Sequence, residues 1–229
     1  MVKPLIDVKN LRKEYKLPSN VVTALDGVDF TVAEKEFCIL YGPSGSGKTT
    51  LLNLMGLIDV PTDGKIFVEG EDTQGFNRVK RADFRLNNIG FIFQKYYLLD
   101  ELTAVENVLV PALAKGGNIK ELSHKTEGIL GLVGLKERVH HKPKHLSEGE
   151  KQRVAVARSL INEPKILLCD EPTASLDAEN GTMILDLLKK INKEEGVTIF
   201  LITHDERQLS YADKIIHIAD GKITKEENR

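Results

Sequence analysis

The chain has 229 residues, 41% hydrophobic and 29% charged, and 32 Lys plus Arg nearly balance 34 Asp plus Glu for a formal net charge of -2. That length supports one large domain or two small ones, with a core that needs neither disulfide nor metal. The charge balance excludes a whole-chain basic footprint for nucleic acid, and apolar runs such as 166–169 and 199–202 fall far short of the roughly 20 residues that span a bilayer.

Asp7 interrupts the N-terminal stretch before a signal-peptide core can form. Cys38 and Cys169 lie inside apolar runs, as buried thiols of a reducing compartment do. Residues 5–8, 28–32 and 65–69 alternate apolar with polar, and Asp63-Gly64 is a turn before the last of them; together they predict a small antiparallel β element. Residues 37–41, 166–169, 198–202 and 215–218 are continuous apolar runs, which suit parallel strands buried on both faces. Helical patterns cover 49–58, about 104–114, about 120–133, 148–162 and 178–194. The expected fold is therefore α/β: one domain over 1–229, its mostly parallel sheet core spanning about 1–93 and 163–229. An inserted helical subdomain is expected over about 94–162.

Gly42-Pro43-Ser44-Gly45-Ser46-Gly47-Lys48-Thr49 fits G-x-x-x-x-G-K-[ST], and Thr50 follows in the same turn. The motif sits between an apolar strand and an amphipathic helix, the context it requires for a P-loop. Glycines let backbone N–H groups turn inward around phosphate oxygens, and the helix start adds a positive dipole end. Lys48 is expected on the β- and γ-phosphates, and the Thr49 hydroxyl on Mg²⁺. Phosphate binding alone leaves the chemistry open.

Further along, a buried strand ends in Asp170-Glu171. Strand alternation would aim the two carboxylates in opposite directions, so Asp170 is assigned to the metal and Glu171 to the general base. Another apolar strand ends at Thr203-His204-Asp205. Its carboxyl end places His204 where a γ-phosphate could be contacted.

Gln94 after Phe91-Ile92-Phe93, Leu146-Ser147-Glu148-Gly149-Glu150 and Ala174-Ser175-Leu176-Asp177 complete an ordered set with the P-loop, the acid pair and His204. The set resembles the ABC transporter ATPases over essentially the whole chain: a glutamine loop, an L-S-G-G-Q-like signature, a D-loop and a switch histidine. Tyr15 matches the aromatic that stacks on adenine in that family. Residues 102–108 with Pro111 are similar to the branch of lipoprotein-release, macrolide-export and antimicrobial-peptide-export ATPases and their cell-division relative.

The resemblance implies a Mg²⁺-dependent ATPase that powers or gates a membrane transporter. The alternative is an ATP-dependent signalling partner with little transport. It also implies a homodimer, or a pair with a related ATPase, in which each ATP meets the P-loop, acids and His204 of one copy and Ser147 and Gly149 of the other, with Asp177 at the same interface. Gln94 would ligate the metal and sense an integral membrane permease. That places the chain in the cytoplasm on the inner face of the membrane. A groove beside Gln94 including Tyr96 and Tyr97 would receive a permease helix; the two tyrosines read equally as helical-domain core.

Glu148 and Glu150 depart from the signature. Ser147-x-x-Glu150 is a capping box worth about 1 kcal/mol. A carboxylate about 5 Å from a γ-phosphate charge would cost roughly 3 kcal/mol at an effective dielectric near 20. Glu148 is therefore expected to weaken ATP-driven dimerisation unless its side chain turns away. His140, His141 and His145 read as a solvated basic loop rather than a metal site, and Asn180-Gly181-Thr182 as a chance sequon. Asn192-Lys193-Glu194-Glu195 only approximates the guanine-reading N-K-x-D. With no long heptad insertion between P-loop and signature, a chromosome-type ATPase is disfavoured.

Overall fold

The computed structural model describes residues 4–229; the first three residues of the stretch that precedes Asp7 lie outside it. Two sheets form. The first is antiparallel, ordered β2-β1-β4-β5 from strands Ile6–Lys16 (β1), Val21–Val32 (β2), Asp63–Val68 (β4) and Glu71–Asp72 (β5). The second has six strands in the order β10-β9-β3-β8-β7-β6: Phe37–Tyr41 (β3), Ile89–Phe93 (β6), Ile166–Asp170 (β7), Thr198–Thr203 (β8), Lys214–Ala219 (β9) and Lys222–Asn228 (β10). It is parallel throughout except for the β9–β10 pair at its edge.

The continuous apolar runs behave as their burial demands. Phe37, Ile39, Leu167, Cys169, Ile199 and Leu201 point to one side of the sheet, while Cys38, Leu40, Ile166, Leu168, Phe200 and Ile202 point to the other. Side chains of period two thus build two cores from the same strands. The first core is closed by Ala104–Lys115 (α3), Ile119–Leu132 (α4), Glu148–Leu160 (α5) and Ala178–Glu194 (α6); the second by Lys48–Met55 (α1) and the antiparallel sheet. Both cysteines are buried, and burial pushes their thiols well above the ordinary range.

Parallel register brings the functional ends to one edge. Tyr41 lies opposite Thr203, Asp170 opposite Ile202, and Phe93 opposite Asp170. The segments that follow β3, β6, β7 and β8 therefore emerge side by side. The antiparallel element is larger than the sequence suggests, because β1 runs on to Lys16 and β2 starts at Val21. A helix at Arg78–Asn88 (α2) is also unforeseen. The helix from the P-loop stops at Met55 rather than 58, where Gly56 serves as its C-cap and Leu57 turns to positive φ.

Candidate functional site

The P-loop joins β3 to α1, and its glycines are dictated by close approach. A Cβ on Gly42 would lie 2.2 Å from the Ile218 carbonyl oxygen. Gly47 caps α1 at φ 100°, where a side chain is both strained and blocked by the Ala24 carbonyl at 2.5 Å. Lys48, only 5% exposed, donates to the carbonyls of Gly42 at 2.8 Å and Pro43 at 2.7 Å. Burial lowers its pKa, and Glu171 and Asp170 only partly offset that. The Ser46 hydroxyl is buried in the loop with no hydrogen-bond partner. Such an orphaned hydroxyl beneath a nest of backbone amides fits an incoming phosphate oxygen.

Asp170 closes β7. Its Oδ1 is 3.5 Å from Thr49 Oγ1, with the hydroxyl as donor, so a hydroxyl and a carboxylate converge at the start of α1. Burial raises the Asp170 pKa first and the neighbouring Glu171 charge second, against the Thr49 bond and Lys48. Hard oxygen donors of this kind suit Mg²⁺, which takes one or two protein oxygens together with phosphate and water.

Glu171 diverges from Asp170 for a different reason than strand alternation. It lies just past the strand at φ 45°, with its N–H bonded to the Ile202 carbonyl at 3.1 Å. That left-handed turn sends its Oε1 to His204 Nδ1 at 2.9 Å. The carboxylate is largely sheltered while the imidazole is half exposed at the end of β8.

Gln94 leaves β6 at the same edge, its carbonyl accepting from Ser175 Oγ at 3.5 Å. Tyr15 presents a ring 38% exposed on β1, its hydroxyl donating to Asp59 Oδ2 at 3.0 Å and also meeting Thr50 of α1. Burial chiefly raises its pKa, with Asp59 adding to the rise and Thr50 opposing it.

The signature residues are placed apart from this cluster. Ser147 caps α5, accepting from the Glu150 N–H at 3.2 Å, and Glu150 returns a carboxylate to the Ser147 N–H at 2.8 Å and to Arg138 Nε at 3.1 Å. The capping box therefore forms as its spacing requires. Gly149 lies against Asn180 so closely that a Cβ would meet its Oδ1 at 2.4 Å. Asp177 caps α6, accepting from the Asn180 N–H at 2.8 Å. Among the described residues, no hydrogen bond joins Ser147, Gly149 or Asp177 to residues 42–49.

Glu148 points sideways rather than along the helix axis. Its Oε1 accepts from Lys151 Nζ at 2.7 Å, and Tyr96 lies on its other flank. The Lys151 bond, against a little burial and helped by Tyr96, holds the carboxyl below its ordinary value. The Tyr96 hydroxyl is buried outside hydrogen-bonding geometry, and burial together with Glu148 pushes its pKa up to about 12. Tyr97, 64% exposed, packs edge-on against Phe93. The two tyrosines thus part company: one is shielded beside the signature helix, and the other faces solvent in a groove.

Sequence reasoning passed over Lys13, Asp59, Lys151 and Arg158. Lys13, Asp59 and Arg158 act through partners brought near by folding and carry no local signal, whereas Lys151 stands three residues from Glu148 on one helix, a spacing the sequence does offer. For Asn192-Lys193-Glu194-Glu195, which only approximates the guanine-reading pattern, the structure gives Asn192 a structural role. It is buried, and its amide nitrogen donates to the carbonyls of Lys35 at 2.8 Å and Val197 at 2.9 Å, tying α6 to the segments that lead into β3 and β8.

A P-loop on the carboxyl edge of a parallel sheet, with an acid pair beside its lysine, defines a nucleotide-binding α/β protein. Residues 25–174 match the ABC transporter family. The chain is 42% identical to the lipoprotein-releasing system ATP-binding protein LolD of Geobacter metallireducens, covering 96% of this chain and 97% of that one. It is 44% identical to the macrolide export ATP-binding/permease protein MacB of Hyphomonas neptunium over 97% of its own length, but spans only 34% of that protein. A dimeric structure of the ATP-binding cassette MJ0796, in a post-hydrolysis state bound to ADP and Pi, superposes with a TM-score of 0.90 at 38% identity, covering 97% of this chain and 98% of that one. The chain belongs to the ABC transporter family and is one of its ATPase cassettes.

Proposed function

We propose that this cassette hydrolyses MgATP as a head-to-tail dimer and thereby drives or gates an integral membrane permease from the cytoplasmic face. The observation that carries the reading is the Glu171–His204 contact of 2.9 Å beside the P-loop. It holds a base and its orienting partner at the mouth of a phosphate cradle. Glu171 accepts a proton from water as the water oxygen bonds the γ-phosphorus and the β–γ bridging bond breaks, leaving ADP and phosphate. His204 fixes the carboxylate and lies within reach of the γ-phosphate. Lys48 and the loop amides of residues 42–47 hold the phosphates, with Thr50 in the same turn, and Tyr15 stacks on adenine.

Thr49 and Asp170, joined by Gln94, would hold Mg²⁺, which when bound neutralises charge on the transferring phosphate. The exposed cap of α5 supports a site completed by a second copy. Ser147 and Gly149 offer a hydroxyl and bare amides at a helix start, the chemistry an anion requires, with Asp177 beside them at the interface. Helices α3 to α5 would move as a subdomain of about residues 94–162 carried by the sheet core.

A groove of about 700 Å³ supports the permease contact. Ile58, Phe91, Phe93 and Tyr97 line it with apolar surface, and Arg85 and Arg158 line it as well. Among the described residues no helix is long and apolar enough to cross a membrane.

The experiment is Glu171→Gln. Steady-state hydrolysis should fall by about 10²–10⁴-fold, the usual worth of a general base. ATP binding should persist, with an ATP-dependent dimer visible by size exclusion. Unchanged turnover would remove Glu171 as the base.

A further inference from the structure

The segment that follows α1 holds an acid the nucleotide chemistry does not use. Asp59 reaches back to β1, where it accepts from Tyr15 Oη at 3.0 Å and from Lys13 Nζ at 2.8 Å. Lys13 is 9% exposed; its ammonium also donates to the Val60 carbonyl at 2.7 Å and lies 4.8 Å from the centre of the Tyr15 ring. The Asp59 carboxyl is in turn fixed by its own neighbour, the Val60 N–H, at 2.7 Å. Burial works against ionising Asp59, yet the bonds from Lys13, Val60 and Tyr15 outweigh it.

From this geometry we infer that Asp59, with Lys13, is a positioning device that fastens the Tyr15 ring to the segment following the P-loop helix and so sets how tightly the nucleobase is held. The inference rests on Tyr15 being the adenine platform and names what orients it. A tyrosine on a strand near a hairpin end has two free torsions and an exposed face. Stacking is strong only when those torsions are already spent before the base arrives. Two restraints spend them: Asp59 holds the phenol oxygen from beyond the C-terminal end of α1, and the Lys13 ammonium sits against the ring as a cation does on an aromatic quadrupole. Asp59 and Val60 lie in the segment that continues directly from α1, so the base platform is tied to the chain that leaves the phosphate cradle.

A base-directed device must leave the phosphates indifferent. Binding of MgATP and of magnesium tripolyphosphate is measured by calorimetry on the full chain for Tyr15→Phe, Tyr15→Ala, Asp59→Ala, Asp59→Asn and the double variant Tyr15→Phe with Asp59→Ala. Tyr15→Phe keeps the ring and removes only the anchor. It should weaken ATP about three- to tenfold, as should Asp59→Ala, with tripolyphosphate affinity unchanged. The double variant should be no weaker than either single one. Asp59→Asn, which keeps an acceptor and the side-chain volume, should recover most of the loss and guards against misfolding caused by an unpaired Lys13. Wild-type ATP affinity in Tyr15→Phe, or equal losses for ATP and tripolyphosphate in Asp59→Ala, overturns the inference. Wild-type ATP affinity in Tyr15→Ala would instead remove Tyr15 as the platform, a separate failure.

Discussion

At the scale of single residues, Glu148 shows how a local contact decides the meaning of a substitution. A carboxylate in place of a signature glycine, aimed along the helix axis, would repel a γ-phosphate by roughly 3 kcal/mol before salt screening. The side chain instead pairs with Lys151, three residues further along the helix, at 2.7 Å, with Tyr96 close by. With its charge paired in this way, the departure from the signature should cost little as long as Lys151 is present. Glu148→Gly in a Glu171→Gln background should alter the ATP concentration needed for dimerisation by less than about threefold. Lys151→Met frees the carboxylate and should raise that concentration about tenfold, roughly 1.4 kcal/mol. Adding Glu148→Gly to Lys151→Met should restore it. Analytical ultracentrifugation across an ATP series reads all three, and a tenfold tighter dimer from Glu148→Gly alone would show that the carboxylate does oppose closure.

Among the elements, α5 is the one that most connects the site to its surroundings. Its cap carries Ser147, and its far end carries Arg158, whose two terminal nitrogens each donate at 2.6 Å, one to the Tyr97 carbonyl and one to the Tyr96 carbonyl. Burial lowers the Arg158 pKa without a counter-charge nearby, so those two carbonyls are its main compensation. Arg158→Ala should cost about 2 kcal/mol in urea unfolding, and Arg158→Lys should recover less than half of it, because an ammonium cannot span two carbonyls in a plane. Equal stability of Lys and wild type would show that charge alone matters there.

None of this was readable from the chain, since an arginine in a helix gives no hint of which carbonyls it will meet 61 residues away. What the sequence did reveal were elements whose signal is apolar burial or fixed spacing: the two-faced strands of the parallel sheet, the glycine loop, the capping box at Ser147. α2 escaped notice because it buries no residue: its apolar positions are interleaved with Arg78, Lys80, Arg81, Asp83 and Arg85, and Val79 is left 76% exposed. It is started instead by Asn77, which accepts from the Lys80 N–H at 2.9 Å. Likewise β10 is polar apart from Ile223, and cross-strand pairs, Glu226 with Lys214 and Glu227 with His217, hold it at the sheet edge. Periodicity finds faces that meet a core; it does not find elements held by caps and ion pairs.

For the molecule as a whole, charge is balanced globally and unbalanced at one place. The net charge is -2, yet two rigid cores hold Asp170 and Glu171 side by side against a single buried lysine. Burial and Glu171 raise the Asp170 pKa, so the native state takes up that proton more readily than the unfolded chain does. By linkage the sign follows. Below the ordinary carboxylate range, near pH 4, both states are protonated at this position and nothing is lost. As pH rises through the window up to the raised native value the unfolded chain ionises first, and above it the folded state carries the full penalty. On the proposed role of Asp170, the fold would give up stability at neutral pH to keep a carboxylate ready for a cation, a trade common where activity needs a strained site. Asp170→Asn mimics the neutral form and keeps an acceptor for Thr49. It should raise the melting temperature of the nucleotide-free protein at pH 7, and that advantage should shrink toward zero as the pH is lowered to about 4. The same variant should lose the magnesium-dependent part of the stabilisation by ATP, which for wild type at a hundred times Kd amounts to about 2.7 kcal/mol in total. Calorimetric scans over pH, with and without magnesium, check both halves; a variant less stable than wild type at pH 7 would mean that Asp170 is held by favourable contacts that outweigh its burial.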